Sequence, residues 1–212
     1  MRIALPAAMT DRVGVRLVLL WAVVTACGFA ILLRYKSTPT PNDGLPPERW
    51  PAETRLAPAS DRATLVLFTH PHCACTHASV SELARLTARV SDRLAVRIVI
   101  VSPPGVDGSW DDTELARRAG LVAGAIVTRD QGGVEAARFN AAVSGLTVLY
   151  DAGGRLRFAG GITSARGHEG DSFGLQRIRA VLAGEAPDRA DAPVFGCSFG
   201  GPHQAAATPD QG

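Results

Sequence analysis

No run of basic residues with aromatics between them occurs in the chain, and its 22 Lys and Arg outnumber its 20 Asp and Glu by only two. So weak a balance offers no footprint for a polyanion, and nucleic acid is not an expected partner. No internal repeat is visible. Cysteine is scarce, four in 212 residues, so the fold is not a disulfide-stapled scaffold. An apolar content of 46% suffices for an ordinary core. No Cys-x-x-Cys motif is present, and no clear Ala-x-Ala cleavage site adjoins the N-terminal apolar run.

That run, LVLLWAVVTACGFAILL at residues 17–33, lacks both charge and proline. It is at the short end for crossing a bilayer, and Arg16, Arg34 and Lys36 at its borders can snorkel to lengthen it. An uncleaved membrane anchor is the expectation. A cleaved signal peptide requires a site that is not there. Val24-Thr25-Ala26-Cys27 has the form of a lipobox, but apolar residues continue beyond Cys27. Arg2, Arg12 and Arg16 precede the run, and two cations follow it. This small excess orients the N-terminus toward the cytoplasm. The remainder then lies outside a bacterial inner membrane, in the periplasm, where disulfides persist.

The chain divides on composition into a short N-terminal segment (1–16), the anchor (17–33), a proline-rich spacer (34–58), a domain (59–185) and a polar tail (186–212). Six prolines in 37–60 suggest an extended, semi-rigid linker. Thr64–Thr69 and Ala95–Val101 read as buried strands. Cys75–Val90 reads as a helix, with Val80, Leu83 and Val90 on one face. Asp112–Arg118 is predicted as a short helix capped by Asp111 or Asp112, followed by a short strand at 125–128 and a helical turn at 134–140. Leu146–Tyr150 and Leu156–Gly160 form a hairpin around Asp151-Ala152-Gly153-Gly154, and Phe173–Leu182 is the last helix. A helix between two strands implies a parallel pair with a right-handed crossover, and the hairpin adds antiparallel strands. The expected class is α/β: a central mixed β-sheet flanked by helices.

The chemistry concentrates in FTHPHCACTH, residues 68–77, which holds three of the five histidines and two of the four cysteines. It falls where the first strand gives way to a helix. Free N–H groups and the positive dipole end there favour thiolate over thiol. Cys73, preceding the helix, is expected to be the more exposed nucleophile, with Cys75 or Cys197 resolving the mixed disulfide. A disulfide spanning one intervening residue departs from good geometry and would be strained. The same atoms suit a soft ion. Cys73, Cys75, His72 and His168 form a candidate set for Cu(I) or Zn²⁺. The glycine-rich loop 160–171 should border the cysteines, where Arg166 and His168 would stabilise a thiolate and Glu169 would orient His168. His203, in the tail, carries no signal.

The strand, the Cys73-Ala74-Cys75 motif opening a helix and the late hairpin resemble the thioredoxin-like fold over about residues 59–185. More narrowly, HPHCACTHAS, LYDAGGRLRFAGGIT, RGHEGD and VFGC resemble a group of membrane-anchored thioredoxin-like bacterial proteins, some labelled RedB. The resemblance implies thiol–disulfide exchange with protein thiols or disulfides, without a required cofactor. It departs from ordinary thioredoxins in two respects. The motif is Cys-x-Cys, and Ser144-Gly145-Leu146-Thr147 stands where thioredoxins carry a cis-proline that aligns substrate and keeps metals off the cysteines. A copper or zinc carrier built on the His/Cys cluster at 70–77 therefore stays open beside the redox reading, as does a scaffold whose cysteines only brace the fold. A peroxidase reading lacks the Pro-x-x-x-Thr/Ser-x-x-Cys setting.

Overall fold

The computed structural model describes residues 7–42, 44–90, 92–185 and 190–200. Arg2, His203 and much of the expected tail lie outside them. The chain separates into two compact units that divide between Thr38 and Pro39.

The first unit is helix α1 (Ala7–Ser37). It extends the apolar run by nearly three turns at its N-terminal end and about one at its C-terminal end and is long and apolar enough to cross a membrane. Its described side chains are exposed.

The second unit contains strands β1 (Ala63–Thr69), β2 (Leu94–Ser102), β3 (Ala125–Gln131), β4 (Thr147–Tyr150), β5 (Leu156–Gly160) and β6 (Ala190–Asp191). Its helices are α2 (Thr76–Val90), α3 (Glu114–Gly120), α4 (Val134–Arg138) and α5 (Phe173–Ala183). The strands form one sheet in the order β3-β2-β1-β4-β5-β6. β1, β2 and β3 run parallel, β4 is antiparallel to both β1 and β5, and β6 is parallel to β5. A central parallel β-α-β unit followed by an antiparallel hairpin and a closing helix is a thioredoxin-like fold.

Six of the seven β1 residues are buried, so the strand must be covered on both faces, and its unbroken apolar sequence fits that. One face carries Leu65, Leu67, Val96 and Ile98 under α2, α3 and α5, through Leu83, Leu86, Leu115, Leu175 and Ile178. The other carries Val66, Phe68, Val99, Val148 and Tyr150. Among the described residues, α4 is the only helix on that second face. The rest of the cover comes from two stretches read from sequence as linker and tail.

Both readings are corrected. Residues 39–58 lie against the domain rather than spacing it. Trp50 stacks edge-on against Phe139 and Tyr150 at centroid separations of 5.3 and 5.2 Å, and Leu56 is 4% exposed. Backbone bonds run from Leu156 N–H to Glu48 O and from Trp50 N–H to Gly154 O, both 2.8 Å. Tyr150 donates its hydroxyl to Pro47 O at 2.9 Å. The Glu135 carboxylate, at the start of α4, takes the Thr54 hydroxyl and the Arg55 N–H. The prolines thus hold an extended strap in register, each bend removing a donor that would need a partner. Residues 190–200 form a second strap. β6 extends the sheet, and Val194 and Phe199 join the second core cluster.

Smaller differences have local causes. α2 begins at Thr76, because Cys73 to Cys75 are taken up by a turn in which Thr76 N–H reaches Cys73 O. The cap of α3 is Thr113, whose hydroxyl accepts from Ala116 N–H; Asp111 is buried instead. β3 runs three residues longer than expected, and α4 ends two residues earlier.

If residues 39–58 are part of the core, Leu56→Ala should lower stability by about 2–4 kcal/mol. Chemical denaturation of the full chain checks this; a loss of under about 0.5 kcal/mol would return the segment to the role of a loose spacer.

Candidate functional site

The site forms where β1 ends, α2 begins and the second strap passes. Three backbone contacts centre on Ser144 and Gly145, just before β4. Gly145 N–H donates to Phe68 O at 2.7 Å, and Ser144 N–H donates to Cys197 O at 2.8 Å. Val143 and Ser198 pair as an antiparallel bridge. The fully buried Ser144 hydroxyl accepts from His70 N–H at 2.8 Å and lies 2.6 Å from the Thr76 hydroxyl. One small side chain therefore ties the cysteine turn, the helix start and the strap together. No cis peptide bond is present among the described residues. The segment replacing the cis-proline stretch is an ordinary trans backbone whose serine does the tying.

Close approach is secured by glycine. A Cβ at Gly196 would overlap the Ser144 carbonyl oxygen, and one at Gly161 would strike the Pro193 carbonyl. The glycines of the 160–171 loop do let the backbone pass another surface, and that surface is the strap. Arg166 closes it from outside, donating to Gly196 O at 2.5 Å and to the Thr40 hydroxyl at 2.6 Å. Thr40 N–H in turn reaches Val194 O at 2.8 Å. Val194, Phe195 and Phe199 are buried. Exposing three such side chains costs roughly 5–9 kcal/mol, so the strap is a fixed wall and not a flap.

These contacts deliver Cys197 to the cysteine turn. Its Sγ is 3.1 Å from Cys73 Sγ, and each of Cys73, Cys75 and Cys197 interacts with the other two. Cys73, expected to be the exposed thiol, is 1% exposed; Cys75 and Cys197 are half-buried. The reason is the wall itself, which sequence alone did not place. The Cys197 thiol first, then the Cys75 thiol, outweigh burial, with smaller contributions from the Thr76 hydroxyl and the Cys197 backbone, and hold Cys73 far below the ordinary thiol range. Cys197 is pushed up, first by Cys73, then by Cys75 and burial. Cys75 is also raised. Cys197 and Arg166 lower it, but its contact with Cys73, burial and the Cys73 charge prevail. The three sulfurs behave as one titrating unit, sharing a negative charge that rests on Cys73.

The other expected residues divide. Arg166 belongs to the site through Cys75 and Gly196. His168 is exposed, and Glu169 pairs with Arg85 and so does not orient it. The exposed His72 turns away from the sulfurs, placing its Nε2 3.0 Å from Trp110 O and its ring 4.5 Å from the Trp110 ring. Buried His70 lies edge-on to the same indole at 5.4 Å, and its Nδ1 accepts from His72 N–H. Among the described residues, no group of three or more His, Cys, Asp or Glu is placed to hold a metal ion. Cys73, Cys75, His72 and His168 are therefore not gathered around one. Sulfurs 3.1 Å apart are also closer than the edge of about 3.8 Å that Zn–S bonds of about 2.3 Å would set.

Sequence reasoning missed Ser144, Trp110 and Asp111. Asp111 is 5% exposed; its Oδ2 accepts from Ser102 Oγ at 3.3 Å, while its Oδ1 has no partner among the described residues. Burial raises its pKa, against the pull of Ser102, Arg129 and His72.

No family model matches the chain, and no curated protein does. Among solved structures it is similar to an uncharacterized conserved protein of Geobacillus kaustophilus at 21% identity and TM-score 0.53, over 66% of this chain and 77% of that one. A hypothetical protein of Sinorhizobium meliloti matches at 24% identity and TM-score 0.53, over 66% and 80%. At these identities the likeness shows the fold alone. A secreted disulfide oxidoreductase of Mycobacterium tuberculosis aligns at 15% identity and TM-score 0.42, over 58% and 81%; a match that low carries no argument.

Two predictions follow from Ser144 and Asp111. Ser144→Ala leaves the buried His70 N–H without its acceptor and should cost about 1–3 kcal/mol in chemical denaturation. For Asp111, the folded-state pKa lies above the unfolded one, so the folded protein binds the extra proton and loses stability as pH rises from the ordinary carboxylate range through the raised value. Asp111→Asn should raise Tm at pH 7 by more than at pH 4; an equal change at both would remove the ionisation argument.

Proposed function

We propose that the chain is a membrane-anchored thiol–disulfide exchange protein of the RedB-type group, with Cys73 and Cys197 as its working pair and Cys75 as the third thiol beside them. One observation carries this reading: the 3.1 Å contact between Cys73 Sγ and Cys197 Sγ. Two thiols that far apart in sequence, 124 positions, come together only because both straps, the Ser144 node and Arg166 hold them there.

The pairing differs from that of a Cys-x-x-Cys protein. Cys73 and Cys75 share a tight turn, and the loop they would close is too short for relaxed disulfide geometry. Cys197 approaches from another segment and is free of that limit. Arg166 keeps Gly196, and with it Cys197, in place while lowering the Cys75 thiol. Partners would be protein thiols or disulfides, and the reaction needs no metal or other cofactor. α1 would hold the domain at a bacterial inner membrane. The N-terminal excess of cations directs the domain to the periplasm, the compartment in which such a disulfide is maintained.

Full-length protein purified in detergent without reductant tests the reading. Peptide mapping should find a Cys73–Cys197 disulfide with Cys75 free, reducible by a small dithiol. Cys73→Ser and Cys197→Ser should each cut the rate of exchange at least 100-fold. A Cys73–Cys75 disulfide, or three unreactive thiols, would rule out this pair.

A further inference from the structure

Resting on that reading, we infer that the Cys73–Cys197 disulfide accepts electrons from a dithiol protein partner, with the partner attacking Cys197 and Cys73 leaving. The geometry makes the two sulfurs unequal. Cys73 is 1% exposed and walled in by the strap, whereas Cys197 is half-exposed and followed by the exposed Ser198. An incoming thiolate meets Cys197 first. The sulfur it displaces is the one whose thiolate its neighbours favour, Cys75 ahead of Thr76 and the Cys197 backbone. A thiol with a stabilised thiolate is the better leaving group, and access and leaving ability here favour the same direction of attack.

The step balances as follows. The electron pair of a partner thiolate forms a bond to Cys197 Sγ, and the Cys73–Cys197 bond breaks with its pair going to Cys73. A second partner thiol, deprotonated, then attacks the partner sulfur of the mixed disulfide. Cys197 departs and takes up a proton. Two partner thiols become one disulfide, and two electrons reside on the Cys73–Cys197 pair. Donors that stabilise the Cys73 thiolate stabilise the reduced form, which makes the disulfide a stronger oxidant. The partner class is therefore a reduced protein carrying two neighbouring cysteines, at least one in a segment exposed enough to reach a half-buried sulfur. Reverse flow would require Cys73, 1% exposed, to attack a substrate disulfide past the strap that covers it.

Reduced glutathione serves as the probe. Oxidised full-length protein in detergent is mixed with it, quenched with acid over a time course, alkylated and digested. Glutathione should be found on Cys197 in at least about ten-fold excess over Cys73, with Cys73 recovered as the alkylated thiol. Glutathione mainly on Cys73 or Cys75 would overturn the inference while leaving thiol exchange intact. A Cys73–Cys197 disulfide that glutathione cannot open, or its absence, would instead defeat the underlying reading. A second measurement uses Thr76→Val, which removes one donor to Cys73. At equilibrium with glutathione, the variant's reduced-to-oxidised ratio should fall by about ten-fold, the effect of one hydrogen bond to a charged group. An unchanged ratio would show that the donors do not set the direction.

Discussion

The structure depends on a sheet buried on both faces. β1 has almost no exposed residue, and its neighbours β2 and β4 are nearly as enclosed. Helices α2, α3 and α5 satisfy one face in the ordinary way. The other has only the five-residue α4, too little to cover Val66, Phe68, Val99 and Tyr150. The deficit is met by irregular chain from both ends of the domain. Such chain cannot satisfy its own backbone groups as a helix does, so each strap is fastened bond by bond, at Glu48, Trp50 and Thr40 on one side and at Cys197 and Phe199 on the other.

The site is a product of that fastening. Cys197 sits beside Cys73 because Val194 and Phe199 are needed in the core and because Ser144 N–H needs the Cys197 carbonyl. Burial alone would raise the Cys73 pKa. Clustering reverses the sign, since the Cys197 and Cys75 thiols beside Cys73 favour its thiolate by more than burial disfavours it. The helix N-terminus, the usual source of thiolate stabilisation, is not the main one here. α2 starts three residues after Cys73, and the largest contribution comes from the strap.

Much of this fold was legible. The β-branched runs at 64–69 and 95–101, the apolar spacing of 80–90 and the turn at 151–154 each express a local period, and local periods survive in sequence. The straps left no such trace. Residues 39–58 have the composition of a linker, and the two residues that dock them, Trp50 and Leu56, lie among prolines without periodicity. Cys197 was visible as a candidate partner of Cys73 beside Cys75, but the choice between them was not, because a contact across 124 positions is fixed by the fold and not by spacing. The burial of Cys73 was misjudged for the same reason: the end of a strand is exposed unless something crosses it. Asp111 was hidden by a capping signal that Thr113, two residues later, took over. His168 and Glu169 looked functional because the loop 160–171 was expected to border the cysteines, yet of these residues Arg166 reaches the strap while His168 and Glu169 are exposed.

The long separation between Cys73 and Cys197 also sets an order of events during synthesis. As the chain is extruded from its N-terminus, Cys73 and Cys75 emerge well before Cys197, and for that interval they are the only cysteines of the domain. The second face of the sheet is covered only in part over the same interval, by the first strap and α4. Closing the core and completing the thiol cluster are therefore one event, timed by the arrival of the last strap, so a nascent chain is redox-incomplete for as long as it is unfolded.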